Sequence, residues 1–126
     1  MSVKYSLSEK GNPQNAAAPK KWYAGTKNAG NIRLRALSKE IARRSAVNTA
    51  DTAAVLEALT QVLTDNLAEG RIVRFGDFGS FQVTIGSEGA ETADKFNTKM
   101  IKSKKVTFRP GIDLKEMLNK MKFEEA

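Results

Sequence analysis

The chain has no cysteine, no histidine, three prolines and one tryptophan in 126 residues. Without cysteine there is no disulfide framework, no thiolate nucleophile and no thiolate-ligated metal. Without histidine the commonest general base and the commonest metal ligand are also missing. Together these absences argue against an enzyme, and no cofactor, metal or small-molecule substrate is expected. No segment approaches the roughly 20 apolar residues of a membrane-spanning helix. The first residues lack the apolar run of a signal peptide, so a cytoplasmic location is the default expectation, with no membrane partner.

What the chain does have is positive charge: 21 Lys and Arg against 14 Asp and Glu, a formal net charge of +7. That balance points to an anionic partner, nucleic acid first and an anionic membrane surface or acidic protein second. The charge is unevenly placed. Residues 1–35 carry Lys4, Lys10, Lys20, Lys21, Lys27, Arg33 and Arg35 against Glu9 alone, whereas residues 36–70 hold three bases and five acids. Residues 95–109 contain Lys95, Lys99, Lys102, Lys104, Lys105 and Arg109 and no acid. This last group forms the main set of phosphate-binding candidates, with Arg71, Arg74, Lys20, Lys21 and Lys27 as a second set. If six such cations meet phosphates, counterion release predicts a log–log salt slope of about −5 on duplex DNA. The competing reading is a solvated strand whose lysines protect an edge against aggregation.

Length predicts one domain with an appendage, residues 1–31 forming a basic extension and 32–126 the main domain. In the extension, Val3, Tyr5 and Leu7 alternate with polar residues, and Lys21 to Ala24 offers a second short strand around Gly11-Asn12-Pro13. A flexible basic arm is the alternative, although Trp22 and Tyr23 are unusual in a disordered tail. From Leu34 the period becomes helical: Leu34, Leu37 and Ile41 form one stripe, ending near Arg44-Ser45. Asn48 reads as an N-cap, with Asp51 three residues on, for a second helix over about Thr49 to Ala68. Its expected apolar face is Ala54, Val55, Leu59, Val62, Leu63 and Leu67, with Gly70 as the stop. The short connection predicts an αα-hairpin.

The window Gly70 to Phe81 places Phe75, Phe78 and Phe81 among Gly70, Gly76 and Gly79. It predicts two short strands joined tightly at Gly76-Asp77. Residues 90–100 suit a short helical turn. Ile101 to Phe108 returns to strand, Arg109-Pro110-Gly111 is a turn, and Asp113 caps a final helix carrying Leu114, Met117, Leu118 and Met121. Gly76-Asp77-Phe78-Gly79 lacks the Lys-Ser/Thr ending of a P-loop and the spacing of a dinucleotide fingerprint. Asp77-Phe78-Gly79 spells the kinase metal-binding tripeptide without a catalytic loop to accompany it. Glu88, Glu91 and Asp94 read as a solvated turn rather than a metal cluster, and Ser80 has no His or Lys partner at motif spacing.

The helix pair with its Val47-Asn48-Thr49 turn, Gly70, Phe78-Gly79-Ser80-Phe81, Phe108 and the Gly111–Leu118 segment together resemble the HU / integration host factor class of bacterial histone-like DNA-binding proteins. The resemblance covers about two-thirds of the chain and marks it as a divergent member with an N-terminal extension. It implies an α+β fold: an intertwined homodimer with a helical-hairpin base, an antiparallel sheet with arms, and a C-terminal helix. Double-stranded DNA would be the partner and nucleoid architecture the role. Phe75, Phe78, Phe81, Leu59, Leu63 and Phe108 would then form core and dimer interface, and neither Phe78 nor Phe81 would touch DNA. The family's arm arginines and tip Asn-Pro are absent after Phe81-Gln82-Val83, so proline intercalation does not carry over. Two rivals stand beside this reading. One is an HU-fold dimeric interaction scaffold with weak or no DNA bending. The other is an RNA-binding module stacking bases on Trp22, Tyr23 and Phe96.

Overall fold

The computed structural model describes residues 1–126. The chain runs β1 (Val3–Lys10), β2 (Lys21–Thr26), α1 (Leu34–Arg44), α2 (Thr49–Ala68), β3 (Val73–Arg74), β4 (Gly79–Ser87), β5 (Ile101–Pro110), α3 (Ile112–Lys120) and β6 (Phe123–Glu125). Single 3₁₀ turns occupy Ala93–Lys95 and Thr98–Met100, where a short helical turn is expected. The fold is therefore mixed α+β, with three helices and two three-stranded sheets. It divides into two compact units, Arg33–Glu116 and a unit formed by Met1–Ile32 with Met117–Ala126.

In the larger unit, α2 begins where the sequence pattern places it. The Asn48 side-chain oxygen accepts from the Asp51 N–H at 2.8 Å, and its amide donates to the Asp51 carboxylate at 3.0 Å. This reciprocal cap satisfies an orphan donor of the first turn and sets an acid against the helix dipole. Between α1 and α2 the buried positions are small and polar, Ser38 and Thr52. Each hydroxyl is satisfied by the carbonyl four residues back, Leu34 and Asn48 respectively, at 2.8 Å. The helices therefore pack through small residues, and the expected stripe of Leu34, Leu37 and Ile41 stays 37–40% exposed.

The apolar face of α2 is rotated from its expected position. Leu56, Leu59, Leu63 and Leu67 are half-buried, while Val55 and Val62 stand 63% and 55% exposed. A spacing of 56, 59, 63, 67 follows one helical stripe, and Val55 and Val62 fall on its flank.

The Phe/Gly hairpin forms, but its turn is wider than two residues. Phe75 to Phe78 make the turn, closed by Phe75 N–H to the Gly79 carbonyl at 2.8 Å and Phe78 N–H to the Phe75 carbonyl at 3.1 Å. Gly76 takes φ +54°, which a side chain would resist. As a result β3 is only Val73–Arg74. The turn has a structural task. The Asp77 and Phe78 carbonyls accept the Asp113 and Gly111 N–H groups at 3.0 and 2.8 Å, docking the first turn of α3. Gly111 precedes that helix, its carbonyl accepting from Lys115 N–H at 3.1 Å; Asp113 lies inside the first turn and is not its cap. The turn expected at Arg109-Pro110-Gly111 shrinks accordingly, since β5 stays paired as far as Pro110.

In the smaller unit the sheet order is β2-β1-β6. The two expected strands form and pair antiparallel, each two residues longer than anticipated. The third strand, β6, has no counterpart in the sequence reading. It pairs parallel to β1, with Lys4 opposite Glu124, and Ser2 Oγ donates to the same carboxylate at 2.9 Å. Three residues carry too little periodicity to register as a strand; only the partner β1 makes them one.

Candidate nucleic-acid interface

The sheet β3-β4-β5 has two chemically opposite faces, and its register assigns the paired residues up to the bulge at Gly86/Ser87 to one or the other. Phe81 lies opposite both Val73 and Phe108, Val83 opposite Val106, and Ile85 opposite Lys104. Because side chains alternate along a strand, these share one face, which is apolar except at its far end. Its aromatics form a cluster with the hairpin turn: ring centroids are 4.8 Å apart for Phe81–Phe108, 5.7 Å for Phe78–Phe108 and 6.3 Å for Phe75–Phe78. Leu59 and Leu63 of α2 complete the lining, so this face looks toward the helices.

The opposite face carries Arg74, Ser80 and Arg109 on one rung, then Gln82 with Thr107, then Thr84 with Lys105, and then Gly86 with Ser103. It holds three exposed cations, four hydroxyls and no acid. Arg74 and Arg109 flank Ser80 across three strands, roughly 10 Å apart, and Lys105 lies about 13 Å along β5 from Arg109. The Thr84 and Thr107 hydroxyls approach to 3.3 Å. Such a surface offers charged and neutral hydrogen-bond donors to phosphate oxygens and nothing to repel them.

The remaining candidates are distributed elsewhere. Lys104 stands at the outer end of the apolar face, opposite Ile85. Lys102 is the extra residue of a bulge, where β5 advances from Ser103 to Ile101 against Gly86 and Ser87. It pairs with Glu88 at 3.8 Å, and Lys95 pairs with Glu91 at 3.2 Å. The run is thus acid-free in sequence but not in space. These exposed pairs are weak, and a phosphate can replace the carboxylate at little cost. Lys99 sits in the second 3₁₀ turn. Arg71 is drawn back to the end of α2, bonded to Asn66 Oδ1 and Glu69, each at 2.9 Å. Lys20, Lys21 and Lys27 belong to the smaller unit. The hydroxyl residues Ser80, Thr84 and Thr107 escaped a search by charge; strict alternation against Phe81, Val83 and Phe108 is the signal that marks them.

No helix is long and apolar enough to cross a membrane. Curated proteins offer no match to the sequence. Among solved structures, a protein from Bacteroides vulgatus ATCC 8482 described as a "Putative bacterial DNA binding protein" is similar, with a TM-score of 0.66 and 14% identity. The likeness, one of fold, covers 98% of this chain and 47% of that one, so the chain spans about half the length of its structural relative. The family model for HU domains fused to a wHTH, Ig or glycine-rich motif, HU-HIG, matches residues 1–125, which takes in the N-terminal extension as well as the HU-like segments. With a family model matching essentially the whole chain, the chain belongs to the HU-HIG family.

Proposed function

We propose that this protein binds double-stranded DNA through the polar face of β3-β4-β5, non-enzymatically and with little sequence preference, in a nucleoid-architectural role. The observation that carries the proposal is the asymmetry of that sheet: apolar toward α2, and acid-free with Arg74, Lys105 and Arg109 on the other side. Phosphate contacts position a protein without reading bases, so these three cations supply affinity and not specificity. Lys95, Lys99 and Lys102 lie toward the outer end of the β4–β5 arm, and Lys104 on its other face, as further cations for phosphate. The only proline of these two strands, Pro110, lies at the base of the arm opposite Gly79, so no wedge between base steps is expected from its outer end.

The working unit in this reading is a homodimer. The chain alone buries no hydrophobic side chain completely; Phe75 and Phe78 are 38% and 47% exposed, and Val83, Ile85 and Val106 are 41–63% exposed. Leu59, Leu63, Phe75, Phe78 and Phe81 line an open apolar hollow of about 480 Å³. A contiguous apolar surface of this kind needs covering, and a second copy offers the matching surface by two-fold symmetry. Sedimentation analysis is expected to give twice the 13.8 kDa chain mass. Leu63→Glu, which places a charge in the hollow, is expected to give the monomer. A wild-type protein that sediments as a monomer throughout rejects the dimer.

Two protomers present six cations on the polar faces, which predicts a log–log salt slope of about −5 or steeper for duplex binding. Titration of labelled duplexes by fluorescence anisotropy between about 50 and 200 mM salt measures it. Duplexes of unrelated sequence are expected to bind within a few-fold of one another. Salt-insensitive or absent binding would point instead to the interaction scaffold.

A further inference from the structure

At one end of the smaller unit, the last rung of the β1–β2 pair sets Lys10 directly opposite Lys21. Like charges in this position repel, and neither lysine has an acidic partner. Tyr23, opposite Ser8 on the next same-face rung, lies beside them and is 49% exposed. Lys10, Lys21 and Tyr23 form one wall of a cleft of about 480 Å³, whose other wall is the loop at residues 11–19, including Pro13 and Pro19. That loop is held in shape. The Asn12 and Asn15 side chains accept from the Gln14 and Ala17 N–H groups at 2.9 and 3.2 Å, and Asn15 N–H bonds to the Asn12 carbonyl at 3.2 Å. Lys20 runs beside the same loop, its Cγ 3.8 Å from where a Cβ on Gly11 would stand. No acid lines the cleft, and Glu9 points to the other face of the sheet with Trp22.

Two uncompensated cations, a third at the rim and an exposed aromatic ring make a site for a flat ring joined to a phosphate. We infer that this cleft binds an unpaired nucleotide of single-stranded nucleic acid, with its phosphate between Lys10 and Lys21 and its base against Tyr23. Stacking on a phenol ring is indifferent to base identity, so the site accepts single strands generally. The pairing of a fixed ring with a fixed charge distinguishes it from the sheet face of the larger unit, which has cations and hydroxyls but no aromatic. Trp22, on the opposite face of the sheet, has no part in it. The inference draws on Lys20 and Lys21 of the secondary candidate set but on none of the sheet-face cations through which duplex binding is proposed, and it stands or falls separately from that proposal.

The test measures anisotropy of a labelled oligothymidylate of about ten nucleotides, with the full chain, against a duplex of mixed sequence. Tyr23→Leu is expected to weaken oligothymidylate binding by roughly 5- to 100-fold, the loss typical of one stacked base, while Tyr23→Phe retains it. Lys10→Gln with Lys21→Gln is expected to lower the single-strand salt slope by about 1.4, two contacts at about 0.7 each. Duplex affinity changes little in Tyr23→Leu. Thymidine monophosphate in excess is expected to displace the oligomer from the wild type, while inorganic phosphate at the same concentration is not, because it has no ring to stack. Equal oligothymidylate binding by wild type and Tyr23→Leu, with matching circular dichroism spectra, overturns the inference. So does competition by phosphate as effective as that by the nucleotide.

Discussion

Replacing Arg74, Lys105 and Arg109 together by glutamine is expected to lower duplex DNA affinity by roughly three orders of magnitude or more near 0.1 M salt, and to flatten the salt slope by about 5. The size follows from counting: three cations per chain become six in the proposed dimer, and each phosphate neutralised contributes about 0.9 to the slope. All three side chains are exposed and lie on the face turned away from the Phe81–Phe108 cluster, so their loss leaves the packing intact. The loss is expected to be uniform across duplex sequences, because no base is read. The same titrations that give the wild-type slope decide the matter. A triple variant that binds as tightly as wild type, with an unchanged slope, moves the interface elsewhere, first to the lysines between residues 95 and 104.

The second large effect is on stability. Gly79 has φ +152°, and a Cβ there would stand 2.5 Å from the Arg109 carbonyl oxygen and 2.6 Å from Phe108 Cζ. Neither obstacle is the loose end of a flexible chain. One is the backbone of β5 and the other a ring held at 4.8 Å from Phe81 and 5.7 Å from Phe78. Gly79 also accepts the Phe75 N–H that closes the hairpin turn, so it cannot shift without opening that turn. Gly79→Ala is therefore expected to cost about 3 kcal/mol or more, from backbone strain and overpacking together. For a unit of this size that lowers the melting temperature by roughly 10–20 °C. Gly89→Ala is the matched control: nothing lies within 4 Å of its Cβ position and its φ is not positive. It is expected to stay within about 0.5 kcal/mol of wild type. Thermal unfolding at one fixed protein concentration compares them, since any dimer makes the midpoint concentration-dependent. A Gly79→Ala melt within a few degrees of the control's would show that β5 yields to the added methyl group.

Gly79 also explains why Phe78-Gly79-Ser80-Phe81 is so recognisable. The segment serves packing: glycine lets β5 and the Phe108 ring approach, and Asp77 and Phe78 lend their carbonyls to α3. Its resemblance to phosphate-binding and kinase motifs is one of spelling. Three of the anion-binding candidates, Arg74, Lys105 and Arg109, are on the other side of the same sheet.

Local chemistry was enough for the helices. Asn48 with Asp51 marks the start of α2 and Gly70 its end, because capping depends on neighbours within one turn. Alternation was enough for β4 and β5, and the Phe/Gly segment for the family. Three things required the tertiary structure. Which stripe of α2 is covered, leaving Val55 and Val62 exposed on its flank, depends on the elements packed against it, which no single-helix pattern encodes. The strand β6 exists because β1 stands beside it; its three residues have no preference of their own that could reveal it. The division of the lysines into a polar face, a bulge and acid-paired positions depends on register across β4 and β5, since a one-residue slip would exchange the two faces. The sequence by itself determined that the chain is basic, lacks cysteine and histidine and carries an HU-type pattern, for these are properties of composition and short spacing. Which cations share a surface was decided only by the pairing of strands some twenty residues apart, a long-range match that no local signal contains.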